Sequence, residues 1–409
     1  MTATRLAGYP ILAGLCLQSV TFAQADVHAP KRFVQTDFCV SFWVDPPLDE
    51  HADTYYRQIA DARFNVVLGG FGARTPEQIA RQLALCNKYG LKAIVRRGDV
   101  PAEQLPDDPA CIGYMLRDEP NASQFARLAE QVRALRAARP GRLAYINLFP
   151  SHATPRHYGV ATYEEYVRTF LQRVNVDVLC FDRYPLMNPG LDERDGYCEN
   201  LDVIRRHALD ADIPFWNFFN TIPYGRHYDP TEAQLRWQVF TSLAYGAKGV
   251  LYFCYWTPAG GEFPKGGAII ARDGRPTRHY EQARRINARL ANLGPTLMRL
   301  TSTGVYRIKP GEASAPMPDN LPIRRLSDGD YLIGVFRHAD GRRAVLLNNY
   351  RFAYTAWPTV TFDVDAAAIT EVDQRTGKEI PLRDDSPAME GLQLSLDAGE
   401  GRLFLLPAP

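Results

Sequence analysis

Between residues 37 and about 290 the chain alternates eight times between a strand-length apolar run and a helix-periodic stretch, and this constrains the fold more than anything else in it. The first four runs are Phe38 to Trp43, Asn65 to Gly69, Leu91 to Val95 and Ile112 to Leu116. The other four are Leu143 to Phe149, Val176 to Phe181, Pro214 to Phe219 and Gly249 to Trp256. Each is bounded by Pro, Gly, Asp or Asn and is apolar at consecutive positions, the pattern of strands covered on both faces. Helical spacing lies between them. Ile79, Leu83, Leu85 and Cys86 precede Gly90; Phe125, Leu128, Val132 and Leu135 follow the capping residues Asn121 and Ser123 and end at Pro140. Arg236 to Tyr245 precedes the eighth run, and Tyr280 to Leu293 follows it. Eight such units in about 250 residues predict a closed (β/α)8 barrel.

After Gly294 and Pro295 the texture changes. Val305 to Ile308, Tyr331 to Phe336, Arg343 to Leu347, Thr359 to Phe362 and Arg402 to Leu406 are short strands with turn signals between them and no helical pattern. The expected organisation is a barrel over residues 26–298 and a small C-terminal antiparallel β-sandwich over 299–409.

The N-terminus reads as a cleaved signal peptide over residues 1–25: Arg5, an apolar stretch from Tyr9 to Val20, then Ala23-Gln24-Ala25 as a small-x-small processing pattern. Export to the periplasm or the medium follows. Leu15 before Cys16 argues against a lipid anchor, and the apolar stretch is too short to span a bilayer. Six cysteines remain, Cys39, Cys86, Cys111, Cys180, Cys198 and Cys254, at irregular spacing with no C-x-x-C. Those in apolar runs (Cys39, Cys180, Cys254) are expected as buried thiols. With 47 basic against 46 acidic residues, nothing draws this chain to a nucleic acid. No zinc-type spacing and no cofactor motif is present.

In such a barrel chemistry sits at the C-terminal ends of the strands. Those ends carry Trp43 and Asp45, Phe71, Arg96 and Arg97, Asp118 and Glu119, and Asn147 with His152 beyond it. They continue with Asp182, Arg183 and Tyr184, then Asn217 and Asn220, then Trp256. Glycosidic cleavage needs one carboxyl group to protonate the departing oxygen and a second to attack or to activate water. Glu119 is the candidate acid. Pro120 is expected to hold it extended, and neighbouring Asp118 to raise its pKa. Its other reading is a helix-start carboxylate facing the next helix dipole. Asp182 is the candidate second carboxylate, unless Arg183 simply neutralises it. Trp43, Tyr184 and Trp256 are candidate aromatic contacts to a sugar, and Asp118, Asn147 and Asn217 candidate hydroxyl partners.

Gly113-Tyr-Met-Leu-Arg-Asp-Glu-Pro120 resembles the fourth-strand end of the clan A barrel glycosidases. Leu235-Arg-Trp-Gln through Tyr252-Phe253 is similar to the region before strand eight of β-galactosidase-like members, as is Trp256. The resemblance implies Glu119 as acid/base, with Asp118 where that family usually places Asn for a 2-hydroxyl contact. It also implies a nucleophilic Glu at the end of strand seven, where this chain reads Pro214-Phe-Trp-Asn-Phe-Phe-Asn220 with no acid. Asp182 supplies the second carboxylate, or Glu262 reaches in from the strand-eight loop, or the site is not catalytic. The first option makes the protein a glycoside hydrolase; the last makes it a carbohydrate-binding barrel without turnover.

Overall fold

The computed structural model describes residues 31–188, 191–312 and 317–408; the expected signal peptide lies outside them. Eight parallel strands form one sheet in the order β1-β8-β7-β6-β5-β4-β3-β2. They are β1 Cys39–Phe42, β2 Val66–Leu68, β3 Lys92–Arg96, β4 Cys111–Asp118, β5 Leu143–Leu148, β6 Leu179–Asp182, β7 Phe215–Asn220 and β8 Gly249–Phe253. The ladder ends at β1 and β2, and Asn65 ties that seam. Its N–H donates to the Val40 carbonyl (3.1 Å) and its Nδ2 to the Phe38 carbonyl (2.8 Å), while its Oδ1 accepts from the Val40 N–H (2.8 Å). Asn65→Ala removes both side-chain bonds and leaves two strand groups unpaired. Urea unfolding should show a loss of about 1–3 kcal/mol at unchanged m-value.

The helices are α1 Ala52–Asp61, α2 Pro76–Tyr89, α3 Phe125–Ala138, the short α4 Pro155–Tyr158, α5 Tyr163–Val174, α6 Arg194–Asp210, α7 Glu232–Ala244 and α8 Arg278–Leu297. Local chemistry sets their ends. Thr75 and Gln78 form a capping box before α2, and Gly90 closes it in the left-handed conformation that a side chain disfavours. Gly294 and Pro295 do not end α8 as the sequence predicts. The helix runs through Pro295 to Leu297, because Gly294 sits without a side chain against Phe38 and its carbonyl still accepts the Met298 N–H (2.9 Å).

Beyond α8 come β9 Leu300–Ile308, β10 Ile323–Leu326, β11 Tyr331–His338, β12 Arg343–Asn349, β13 Thr359–Phe362, β14 Thr370–Val372, β15 Glu379–Pro381, β16 Leu392–Gln393 and β17 Gly401–Leu406. They make a six-stranded sheet, β15-β14-β17-β12-β11-β9, and a three-stranded one, β10-β13-β16, all antiparallel. Ile333, Val345, Leu347 and Phe404 of the first pack against Ile323, Val360 and Phe362 of the second, which makes a sandwich. The other face of the larger sheet (Leu332, Phe336, Leu346, Leu403) joins the barrel core through α7. That helix is therefore buried on nearly all sides, from Leu235 to Ala244, and Asn348 Nδ2 donates to the Phe240 carbonyl (2.8 Å). All six described cysteines are unpaired, five of them buried.

Candidate active site

Strand β4 is built irregularly where it matters. Met115 pairs with Tyr145 but Arg117 with Ile146, so Leu116 is an extra residue and Asp118 is set beside Asn147. Glu119 then turns. Its N–H donates to the Asn147 carbonyl (2.8 Å), but its φ is 46°, in the left-handed region and not the extended one expected before proline. A non-glycine residue held there costs about 1–3 kcal/mol, and it persists because neighbours fix both sides. Behind it Tyr166 Oη donates to the Pro120 carbonyl (2.7 Å). The turn brings the Glu119 carboxyl into the barrel mouth beside Asp118 instead of leaving it to cap α3.

Opposite, β6 ends at Asp182, which is 9% exposed. Asn147 is 4% exposed and lies between the two strands. Its Nδ2 donates both to Asp118 Oδ1 (3.1 Å) and to Asp182 Oδ1 (2.9 Å). One amide nitrogen thus bridges two carboxylates. Arg183 does not neutralise Asp182: its Nη2 donates to Glu193 Oε2 (2.6 Å) and its Nη1 lies against His152 Nδ1. His152 faces that guanidinium and not the cavity. Burial first, and then Arg183, push its pKa down to about 4.

Asp118, Glu119, Asn147 and Asp182 line a cavity of about 250 Å³ at the C-terminal mouth of the barrel, together with Trp43, Tyr184, Phe218, Tyr224 and Phe253. Larger clefts lie elsewhere. One of about 570 Å³ is lined by Pro214 and Lys248 at the N-terminal ends of strands, the structural end of such barrels. Burial and then Asp118 push Glu119 up to about 7. Burial, then Glu119 and Asp118, push Asp182 well above the carboxylate range, against the Asn147 hydrogen bond. Asp118 keeps open surface at the rim, but its carboxyl sits among the cavity walls; that partial desolvation raises its pKa, against the Asn147 hydrogen bond and the charge of Arg117. Glu119 and Asp182 therefore titrate as a pair that retains a proton near neutrality. Among the described residues no group of His, Cys, Asp and Glu is arranged to hold a metal ion.

The walls are aromatic. Trp43 meets Phe218 edge-on, with ring centroids 5.7 Å apart, and Tyr184 lies over Phe253 at 5.0 Å. Two expected contacts are elsewhere. Asn217 is fully buried and points out to the helices, its Nδ2 donating to Tyr197 Oη (2.7 Å) and Ser242 Oγ (3.0 Å). Trp256 packs edge-on against Tyr55 at 4.9 Å and does not line the cavity; Phe253 is the strand-eight aromatic that does. Asn220 is spent on the Tyr228 carbonyl (3.4 Å), and Glu262 is exposed outside the lining. Asp45 is structural. It accepts from the N–H groups of Phe71, Gly72 and Ala73, and holds the loop after β2, where a side chain on Gly72 would collide with the Pro46 carbonyl. Arg96 and Arg97 stay outside the cavity. Phe218, Phe253 and the loop residue Tyr224 line the cavity without any signal in the sequence that marks them as site residues.

No protein family matches the sequence, and no curated protein does. Solved structures do match in fold. A family 42 β-galactosidase from G. stearothermophilus aligns with TM-score 0.59 at 8% identity, over 93% of this chain and 100% of that one. A β-galactosidase from Bacillus circulans sp. alkalophilus gives TM-score 0.57 at 10% identity, over 92% and 99%. A family 5 glycoside hydrolase from Bacteroides vulgatus gives 0.55 at 13%, over 92% of both. At these identities the likeness is one of fold alone: the chain shares the barrel architecture of these three structures.

Proposed function

We propose that the protein is a glycoside hydrolase, with Glu119 as general acid and Asp182 as the base or nucleophile. The observation that carries this reading is one small cavity at the C-terminal mouth of the barrel that holds both carboxyl groups and has no Lys, Arg or His among its described lining residues. Among the described residues none donates a hydrogen bond to the Glu119 carboxyl, whereas Asn147 donates one to Asp182. Burial works the other way and raises Asp182 further. The positive charge that develops on the sugar ring at bond cleavage then favours ionised Asp182 and leaves the proton with Glu119. In the reaction Glu119 passes that proton to the departing glycosidic oxygen. Asp182 either bonds to the anomeric carbon or takes a proton from the water that does. Trp43 and Tyr184 supply ring contacts, and Asn147 holds Asp182 in place. The expected signal peptide puts this work outside the cytoplasm.

The test is a panel of oligosaccharides, assayed for both cleavage and binding. Cleavage of at least one supports the reading; binding with no cleavage supports the alternative, a carbohydrate-binding barrel without turnover. The acid must be protonated, so kcat/KM should fall about tenfold per pH unit on the alkaline side, once the Glu119–Asp182 pair loses the last proton it holds near neutrality. A flat profile from pH 6 to 9 counts against Glu119 as the acid. Trp43→Ala should raise KM about tenfold through lost ring contact, with kcat changed less than about threefold. Steady-state kinetics on a cleaved substrate separate the two.

A further inference from the structure

The hydrogen-bonding inventory of the cavity is lopsided. Asp118, Glu119 and Asp182 bring three carboxyl groups, and no Lys, Arg or His is among the lining residues. Among the described residues none of the three is in an ion pair, since Arg183 is held by Glu193. The Asn147 Nδ2 is used up on Asp118 and Asp182, and its Oδ1 is left buried with no partner. Among the other lining side chains only the hydroxyls of Tyr184 and Tyr224 and the indole N–H of Trp43 can donate, and none of these carries a charge. The site therefore offers acceptors and negative charge, and an occupant that complements it brings donors and positive charge.

We propose that the sugar ring held here carries a free ammonium group: the substrate is an oligosaccharide with a unit of unacylated amino sugar, its ammonium seated against Asp118 and Asp182 beside Asn147. This rests on the glycosidase reading and names its substrate class. A uronic acid adds a further carboxylate to a cavity that already holds three carboxyl groups. A neutral hexose supplies donors but leaves the charge uncompensated. An N-acetylated nitrogen is neutral, has one donor, and adds acetyl bulk to a space of about 250 Å³. An ammonium has three donors for the carboxylate oxygens of Asp118 and Asp182. The aromatic faces of Trp43, Tyr184, Phe218 and Phe253 also suit a cation.

The test is an NMR titration of the full exported chain with glucosamine, galactosamine and mannosamine, each against its N-acetyl and its 2-hydroxy counterpart. At least one amino sugar should bind about tenfold tighter than both counterparts, the gain of a charge-assisted over a neutral contact. Asp118→Asn should bring that ratio to about threefold or less at an unchanged melting temperature. Equal or tighter binding of the neutral or acetylated sugar overturns the inference, as does a preference that survives Asp118→Asn. Cleavage of neutral oligosaccharides without amino-sugar binding overturns it too, and leaves the glycosidase reading standing. If no sugar in any set binds and no oligosaccharide is cleaved, both fall.

Discussion

Glu119→Gln lowers kcat by about 10²- to 10⁴-fold and makes the protein more resistant to unfolding at pH 8. The first effect follows from removing the only proton the departing oxygen can reach in the proposed mechanism. The second follows from linkage. The folded-state pKa of Glu119 is raised from an ordinary 4.5 to about 7. Between those values the folded chain binds more protons than the unfolded one, so stability falls as pH rises. The contribution is fully present below about pH 4.5 and lost once pH passes about 7. At pH 8 the wild type carries an ionised, half-buried carboxylate beside Asp118, and the amide does not. Thermal unfolding at pH 5 and pH 8 should show the variant's advantage at the higher pH only. A variant less stable at pH 8, or one that turns over normally, contradicts this account. The strained backbone at φ 46° remains in the Gln variant, so the gain reports charge and not conformation.

Asp182→Asn is the second large effect, about 10²- to 10⁴-fold in kcat if Asp182 acts as base. The loss reaches the upper end or beyond if it forms the covalent intermediate. The two roles separate by the anomer first released, read by NMR: retained configuration for a nucleophile, inverted for a base. Stability should again rise at alkaline pH, because Asp182 is more deeply buried than Glu119 and burial holds its pKa well above the ordinary carboxylate value. Asn147 keeps an acceptor for its Nδ2 in this variant, so an inactive but well-folded protein is expected. A drop in melting temperature at pH 8 would assign Asp182 a structural role.

The barrel was legible because strands covered on both faces leave long apolar runs that nothing else in the sequence imitates. The same property hid the direction of each side chain. Along Phe215-Trp-Asn-Phe218 both faces are buried, so alternation carries no signal, and Asn217 faces the helices while Phe218 lines the cavity. In strand eight, likewise, Phe253 lines the mouth and Trp256 packs beyond it. Glu119 was found by chemistry, as an acid at a strand end. Its left-handed backbone was not foreseen, since Pro120 argues for an extended residue, and the bulge at Leu116 has no residue signature. The partner of Arg183 lies ten residues away at Glu193, beyond what adjacency to Asp182 indicated. In the sandwich β14, β15 and β16 have two or three residues each, too few to show a period, and β10 carries Arg324 and Arg325 at its centre, whereas the equally short β13 shows as Thr-Val-Thr-Phe.

The most direct test of the central claim is turnover of the wild type, Glu119→Gln and Asp182→Asn on one cleaved glycoside at pH 6.5, with circular dichroism on each protein. The account predicts native spectra throughout and a loss of at least about 100-fold in both variants. Wild-type turnover in either variant contradicts the pairing of Glu119 with Asp182 across the barrel mouth.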